Sequence, residues 1–242
     1  MRYFSPFILQ TLVWIPTWLV LGFFARFKVF GKENLKGLSH GVIFAANHGS
    51  ELDPILVPAS LNPFSPITPI FYVAREREFY EKDGFSKYIY GGFWFKLWGA
   101  YPAHTGKKDY TLSLQEHINI LNAGKSILMF PEGGKTENGE VGNGKGGVAF
   151  LSHITGVPIV PVAMNGHFKM SPIDFVLRRR KISIKYGKPL YPKDIFPDVA
   201  TVTIEDYKHA AQLIMLQVAK LHNSSAREHV RISNFNKVPV AR

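Results

Sequence analysis

The chain contains no cysteine, which excludes disulfides and leaves no thiolate to complete a zinc site. Its nine histidines include no His-Glu-x-x-His and no short His-x-His pairing. Neither a metal nor a covalently bound cofactor is therefore expected. Acidic side chains are few: 18 against 29 lysines and arginines, for a formal net charge of +11. Long repeats and low-complexity tracts are missing, and no linker divides the 242 residues, so a single sizeable core is expected. Charge itself is absent between Arg2 and Arg26, a stretch of 23 residues containing Trp14, Trp18, Leu19, Val20, Leu21, Phe23 and Phe24. About 20 mostly apolar residues suffice to span a bilayer. Pro16 in the middle predicts a kink, or a division into two short interfacial or re-entrant helices. No small-residue pattern closes the apolar run before Arg26 and Lys28, so it reads as an anchor rather than a cleaved signal.

Basic patches such as Arg178-Arg179-Arg180-Lys181, and Arg227, Arg231, Lys237 and Arg242 in the tail, fit an anionic partner. Juxtamembrane cations gain roughly 1 kcal/mol each near an anionic leaflet. Because the charge accompanies an apolar anchor and no nucleic-acid module pattern occurs, membrane lipid is preferred to nucleic acid. Arg178 to Lys181 also fit a solvated turn before a strand.

The remaining pattern alternates. Short apolar runs predict strands near 27–30, 42–46, 69–74, 126–130, 158–163 and 182–186, and helical signals fall near 54–61, 109–122, 146–155 and 204–222. The fold class is α/β: a mostly parallel central sheet flanked by helices, with an N-terminal membrane-associated helical segment. The organisation is an anchor over 1–25, an α/β domain over 26–223 and a basic tail over 224–242. Ile204, Tyr207, Ala211, Ile214, Met215, Val218 and Leu221 form a helical stripe that reads as core packing. Aromatic residues gather from Phe79 to Trp98, where they fit an acyl-chain groove or plain core equally well.

Asn47-His48-Gly49-Ser50-Glu51-Leu52-Asp53 sets a histidine five positions from an aspartate, just where the strand Gly41 to Ala46 should end. Ligands of open α/β sheets collect at carboxyl ends of strands. Asp53-Pro54 opens the next helix with Asp as the expected N-cap, from which its carboxylate can reach back to one ring nitrogen. The other nitrogen is left to take a proton from an alcohol, an assistance typically worth ~10²–10⁴ in rate. The same residues also fit a plain helix cap with a loop histidine nearby.

Ser126 to Phe130 reads as a second buried strand, leading into Pro131-Glu132-Gly133-Gly134-Lys135-Thr136. With Val157-Pro158-Ile159-Val160-Pro161-Val162, these segments resemble the four-block signature of the glycerolipid acyltransferase family, from about Phe27 to about Pro192. That family includes 1-acylglycerol-3-phosphate acyltransferases. The resemblance implies transfer of a fatty acyl chain from acyl-CoA or acyl-carrier protein to a hydroxyl of a lysophospholipid, with 1-acylglycerol-3-phosphate as the expected acceptor and phosphatidic acid as the product. With the apolar anchor, the expected location is the cytoplasmic face of the inner or plasma membrane. It implies His48 as base and Asp53 as its partner, with Glu132 and Gly133 at the acceptor's polar backbone. Lys135 stands where the family usually has an arginine, and Thr105 where it has a phosphate-binding arginine. His104, Lys107 and Lys108 could restore the charge. Another lysolipid acceptor is the alternative. Backbone amides near Gly49 or Gly133 are the candidate oxyanion donors. Oligomeric state is left open.

Three further motif matches are weaker. Gly142 to Gly147 satisfies a dinucleotide fingerprint and Gly139 to Lys145 mimics a phosphate loop, but polar residues precede the first and Gly146 replaces the metal-binding hydroxyl of the second. A loop opening a helix is the better reading. Gly37-Leu38-Ser39-His40-Gly41 matches the nucleophile elbow of a serine lipase or esterase, yet a strand follows where a helix is required.

Overall fold

The computed structural model describes residues 3–76, 93–104, 109–196, 198 and 201–223. Among these, seven strands form one sheet: β1 (Lys28–Phe30), β2 (Ile43–Ala46), β3 (Ile70–Ala74), β4 (Ala100–Pro102), β5 (Ser126–Met129), β6 (Ile159–Asn165) and β7 (Ser183–Tyr186). Their order is β1-β7-β6-β2-β5-β3-β4. Every pairing is parallel except β6 with β7. The centre of the sheet is covered on both faces, and this explains the continuous apolar runs: all four residues of β2 and of β5 are buried.

Helices α1 (Ser5–Ala25), α2 (Asp53–Ser60), α3 (Phe93–Leu97), α4 (Tyr110–Asn122), α5 (Gly147–Thr155), α6 (Pro172–Val176), α7 (Pro192–Ile195) and α8 (Ile204–Asn223) connect and cover the strands. On one face Ile43, Ala45, Ile127 and Met129 pack with residues of α4, α5 and α8. On the other, Phe44, Ala46, Leu128, Val160 and Val162 pack with Leu21 and Ala25 of α1 and with Leu56 and Val57 of α2. Every expected strand and helix of the α/β body is present within two residues. Beyond them stand β4, the short α3, α6 and α7, and a 3-10 turn over Lys32–Leu35, each too short to show a period.

α8 starts at a capping box, in which Thr203 and Asp206 exchange side-chain and backbone hydrogen bonds. Its buried face is Tyr207, Ala210, Ala211, Ile214, Met215 and Val218, close to the expected stripe. Ile204 departs from that stripe: in the first turn it is exposed.

The anchor differs from expectation more clearly. α1 is one helix through Pro16, neither divided nor a helical pair. Tertiary contacts hold the helix on either side of the proline: buried Gln10 donates to the Ile70 carbonyl at 2.7 Å and accepts from the Ile70 amide at 3.0 Å. Tyr3 meets Phe71 edge to face, Leu21 enters the core, and the Ala25 carbonyl accepts from the Ile182 amide. Arg26 closes the helix in the left-handed conformation. Both ends of α1 thus touch the α/β body, while Leu12, Ile15, Trp18, Leu19 and Phe23 stand 50–69% exposed. The aromatics from Phe79 to Tyr90 and the tail 224–242 lie outside the described residues.

Candidate active site

β2 ends at Ala46, and the chain is tied down at once by Asn47. Its side chain accepts from the Met164 amide at 2.8 Å and donates to the Met164 carbonyl at 3.0 Å, joining the loop to β6. The His48 amide donates to Glu132 Oε1 at 3.2 Å, and the His48 carbonyl accepts from the Thr136 amide at 2.8 Å. The loop after β5 therefore holds both sides of the His48 backbone. Its ring stacks on Phe130, with centroids 4.2 Å apart and planes 15° from parallel.

His48 Nδ1 lies 2.8 Å from Asp53 Oδ2. The side chain of His48 is 19% exposed and that of Asp53 fully buried, so the imidazole reaches the surface while its partner does not. Asp53 is not the N-cap. It is the first residue of α2, after Leu52, and its carboxylate turns back to accept from the amides of Gly49 at 2.6 Å and Ser50 at 3.0 Å. Satisfying two loop donors and the imidazole outweighs capping a helix whose first turn already contains Pro54. Burial pushes the Asp53 carboxyl up, but contacts with His167 and His48 and the Ser50 amide more than offset it and hold the group well below the usual carboxylate range. A permanent carboxylate on Nδ1 keeps Nε2 free as a proton acceptor.

Glu132 is placed by the geometry as a brace. Oε1 takes the His48 amide, and Oε2 takes the Gly142 amide at 3.2 Å. Burial raises its pKa, opposed by those two amides. Gly133 has φ +73°, and a Cβ there would stand 2.6 Å from Lys145 Nζ. Its carbonyl accepts a short hydrogen bond from Arg75, at the end of β3. Lys135 pairs with Glu51 at 2.5 Å, both exposed. His104, just beyond β4, has Nδ1 2.8 Å from Glu76 Oε1. Thr105, Lys107 and Lys108 lie outside the described residues.

One expectation changes, and the two weaker motif matches fall away as their sequence context implied. The Gly49 amide is committed to Asp53, and the Gly133 amide to the Phe130 carbonyl at 3.0 Å, so neither is free as an oxyanion donor. Ser39 is exposed before β2, at the opposite end of that strand from His48, so the elbow geometry of a serine hydrolase is not formed. Gly142 to Gly147 leads into α5 with no strand before it, as befits a loop rather than a dinucleotide fingerprint.

Sequence reasoning missed Arg75 and His167. His167 Nε2 stands 2.9 Å from Asp53 Oδ1, and the His167 side chain is 2% exposed. Both residues follow the carboxyl end of a parallel strand, the position that singled out His48. The same rule applied to every strand end would have found them.

A buried aspartate beside an accessible imidazole at the mouth of a mostly parallel sheet is an arrangement that can serve base-assisted transfer or hydrolysis. The chain belongs to the acyltransferase family, whose model matches residues 26–165. A chloroplastic 1-acyl-sn-glycerol-3-phosphate acyltransferase of Brassica napus is 24% identical over 171 residues, covering 69% of this chain and 46% of that protein. One from Arabidopsis thaliana is 23% identical over 171 residues, with 69% and 44% covered. The chain thus spans about half the length of these curated relatives. The crystal structure of the 1-acyl-sn-glycerophosphate acyltransferase PlsC of Thermotoga maritima shares the fold, with a TM-score of 0.59 at 21% identity over 91% of this chain and 83% of that one.

Proposed function

We propose that the protein transfers a fatty acyl chain from acyl-CoA or acyl-carrier protein to the free hydroxyl of a lysophospholipid, with 1-acylglycerol-3-phosphate as acceptor and phosphatidic acid as product. The observation that carries this reading is the His48–Asp53 pair, with Nδ1 engaged at 2.8 Å and the ring partly exposed. As the acceptor oxygen bonds to the thioester carbonyl carbon, His48 Nε2 takes its proton. Collapse of the tetrahedral adduct breaks the C–S bond, and the imidazolium returns the proton to the departing thiolate. No acyl-enzyme and no resident cofactor takes part. Family membership and the relatives' names support the acceptor class.

α1 supports a membrane location, being long and apolar enough to cross a bilayer. Because both of its ends pack on the α/β body, the reading favours a helix lying in the interface with its exposed apolar face in the lipid, on the cytoplasmic face.

Purified protein given labelled acyl-CoA and lysophosphatidic acid should form the diacyl product. His48→Ala should lose ~10²–10⁴ of that rate with an unchanged melting curve. A folded variant with an undiminished rate would overturn the assignment of the base. Thr105 and Lys135, which replace the family's arginines, favour a second reading with a different lysolipid head group. Rates on a panel of lysolipids with one donor decide between the two.

A further inference from the structure

We propose that His167 is a positioning residue of this site: from beyond the carboxyl end of β6 it braces the far oxygen of Asp53, and through that carboxylate fixes the tautomer and aim of His48. The proposal deepens the acyl-transfer reading and rests on it for its rate measurements alone.

A carboxylate turns about its Cβ–Cγ bond, so holding an imidazole in one orientation requires that both oxygens be restrained. Asp53 Oδ2 is held by His48 and by the amides of Gly49 and Ser50. Oδ1 takes the Ser50 hydroxyl at 3.1 Å. All these donors lie within five residues of Asp53 and move with its loop. Among the contacts described for Asp53, His167 alone comes from another element. Its Nε2 stands 2.9 Å from Oδ1, outside the geometry of an aligned hydrogen bond.

The surroundings are shaped for this approach. At Gly49 a Cβ would lie 2.9 Å from His167 Nε2, so the glycine leaves room for the ring. At Gly166 φ is +88°, and a Cβ would meet the Lys181 carbonyl oxygen at 1.9 Å, so a turn open to glycine delivers His167 to the site. The Asn47–Met164 hydrogen bonds lock that end of β6 to the loop of His48. The other charged or titratable groups that act on this region are His48 across Asp53, Glu132, which acts on both His48 and Asp53, His222 of α8 and, beside His222, Lys185 of β7. Asp53 is the carboxylate that His167 itself meets. A ring as buried as His167, with neither nitrogen in an aligned hydrogen bond, is costly for a purely structural part.

The test uses the full chain in lipid nanodiscs with nitrogen-15 histidine, the His48 signals being assigned by their loss in His48→Gln. In the wild type the neutral ring should carry its proton on Nδ1. His167→Gln, whose amide nitrogen falls near the Nε2 position, should keep that tautomer. His167→Asn, whose amide falls short, should let His48 drift toward the Nε2–H form that free imidazole prefers. In rates, His167→Asn should lower kcat ~10- to 100-fold with KM for the acceptor within about twofold, and His167→Gln should recover most of the loss. In an Asp53→Asn background the His167→Asn penalty should vanish. An unaltered His48 tautomer in folded His167→Asn would overturn the proposal, as would loss of the Nδ1 proton in folded His167→Gln or a full penalty without the Asp53 charge. A wild type that transfers no acyl group would sink the acyl-transfer reading instead, and the tautomer measurement would still decide the role of His167.

Discussion

The corner around His48 and the rim around Lys135 are built from neighbouring loops by opposite means. At the corner, Asp53 is fully buried and Asn47 nearly so, and their polar atoms are held by backbone groups and rings. At the rim, Lys135 meets Glu51, and His104 meets Glu76, with 28–67% of each side chain exposed. Buried polar groups are costly to leave unpaired, whereas exposed ion pairs are worth about 0–1 kcal/mol. On the proposed reading, the contrast teaches that the corner that would move the proton is stiff, while the exposed pairs that would face a head group can re-pair. Chemistry and acceptor preference would then change independently.

The strongest way to break the contrast is Asp53→Asn, which removes the charge and one acceptor from a carboxylate holding His48 and two amides. The rate should fall ~10²–10⁴-fold while vesicle binding is retained; a fall of less than tenfold would mean that the corner is no stiffer than the rim. The next effect concerns stability and pH. His117 is buried with Nε2 3.2 Å from the Tyr101 carbonyl, and burial pushes its pKa down to about 4. The unfolded chain takes that proton near pH 6.5, so stability falls from about pH 6.5 to about 4 and levels off below the folded value. The full loss is roughly 3 kcal/mol. Denaturant melts across that window should flatten by a similar amount in His117→Gln; an unchanged slope would assign the acid sensitivity elsewhere.

Gly49→Ala comes third. The added methyl must displace His167, at a cost of about 1–3 kcal/mol of stability by thermal melting, together with a loss of rate. A silent substitution would show that the corner yields. The smallest effect belongs to Lys135→Ala: under about 1 kcal/mol in stability, and a several-fold rise in KM for an anionic acceptor with kcat preserved. A loss in kcat instead would place Lys135 with the chemistry.

Much of the framework was legible beforehand because its signals are local. Gly41 to Ala46 is apolar without a break, as a strand covered on both faces must be, and the helical stripe of α8 repeats at the helical period. The elements not foreseen were short, and β4 owes its place to pairing with β3. α1 reads differently in isolation because its proline is visible in the sequence, whereas the Gln10–Ile70 hydrogen bonds that steady it join residues 60 apart. At the site, His48 and Asp53 share one loop and could be paired by spacing. Arg75 and His167 stand just past strand ends that the same positional rule marks, but what they touch, like the bracing of His48 by Glu132, joins loops from different strands and shows in no local pattern.

The order of residues alone therefore determined the alternation of strands and helices, the apolar anchor, the excess of positive charge and the His48–Asp53 pair. Each depends on period, composition or a five-residue reach. The fold decided that Asp53 would turn from capping to holding two rings, that the Gly49 and Gly133 amides would be spent inside the loops, and that α1 would lie against the body. These are competitions for hydrogen bonds and buried surface among distant segments, and they are settled only when the segments meet.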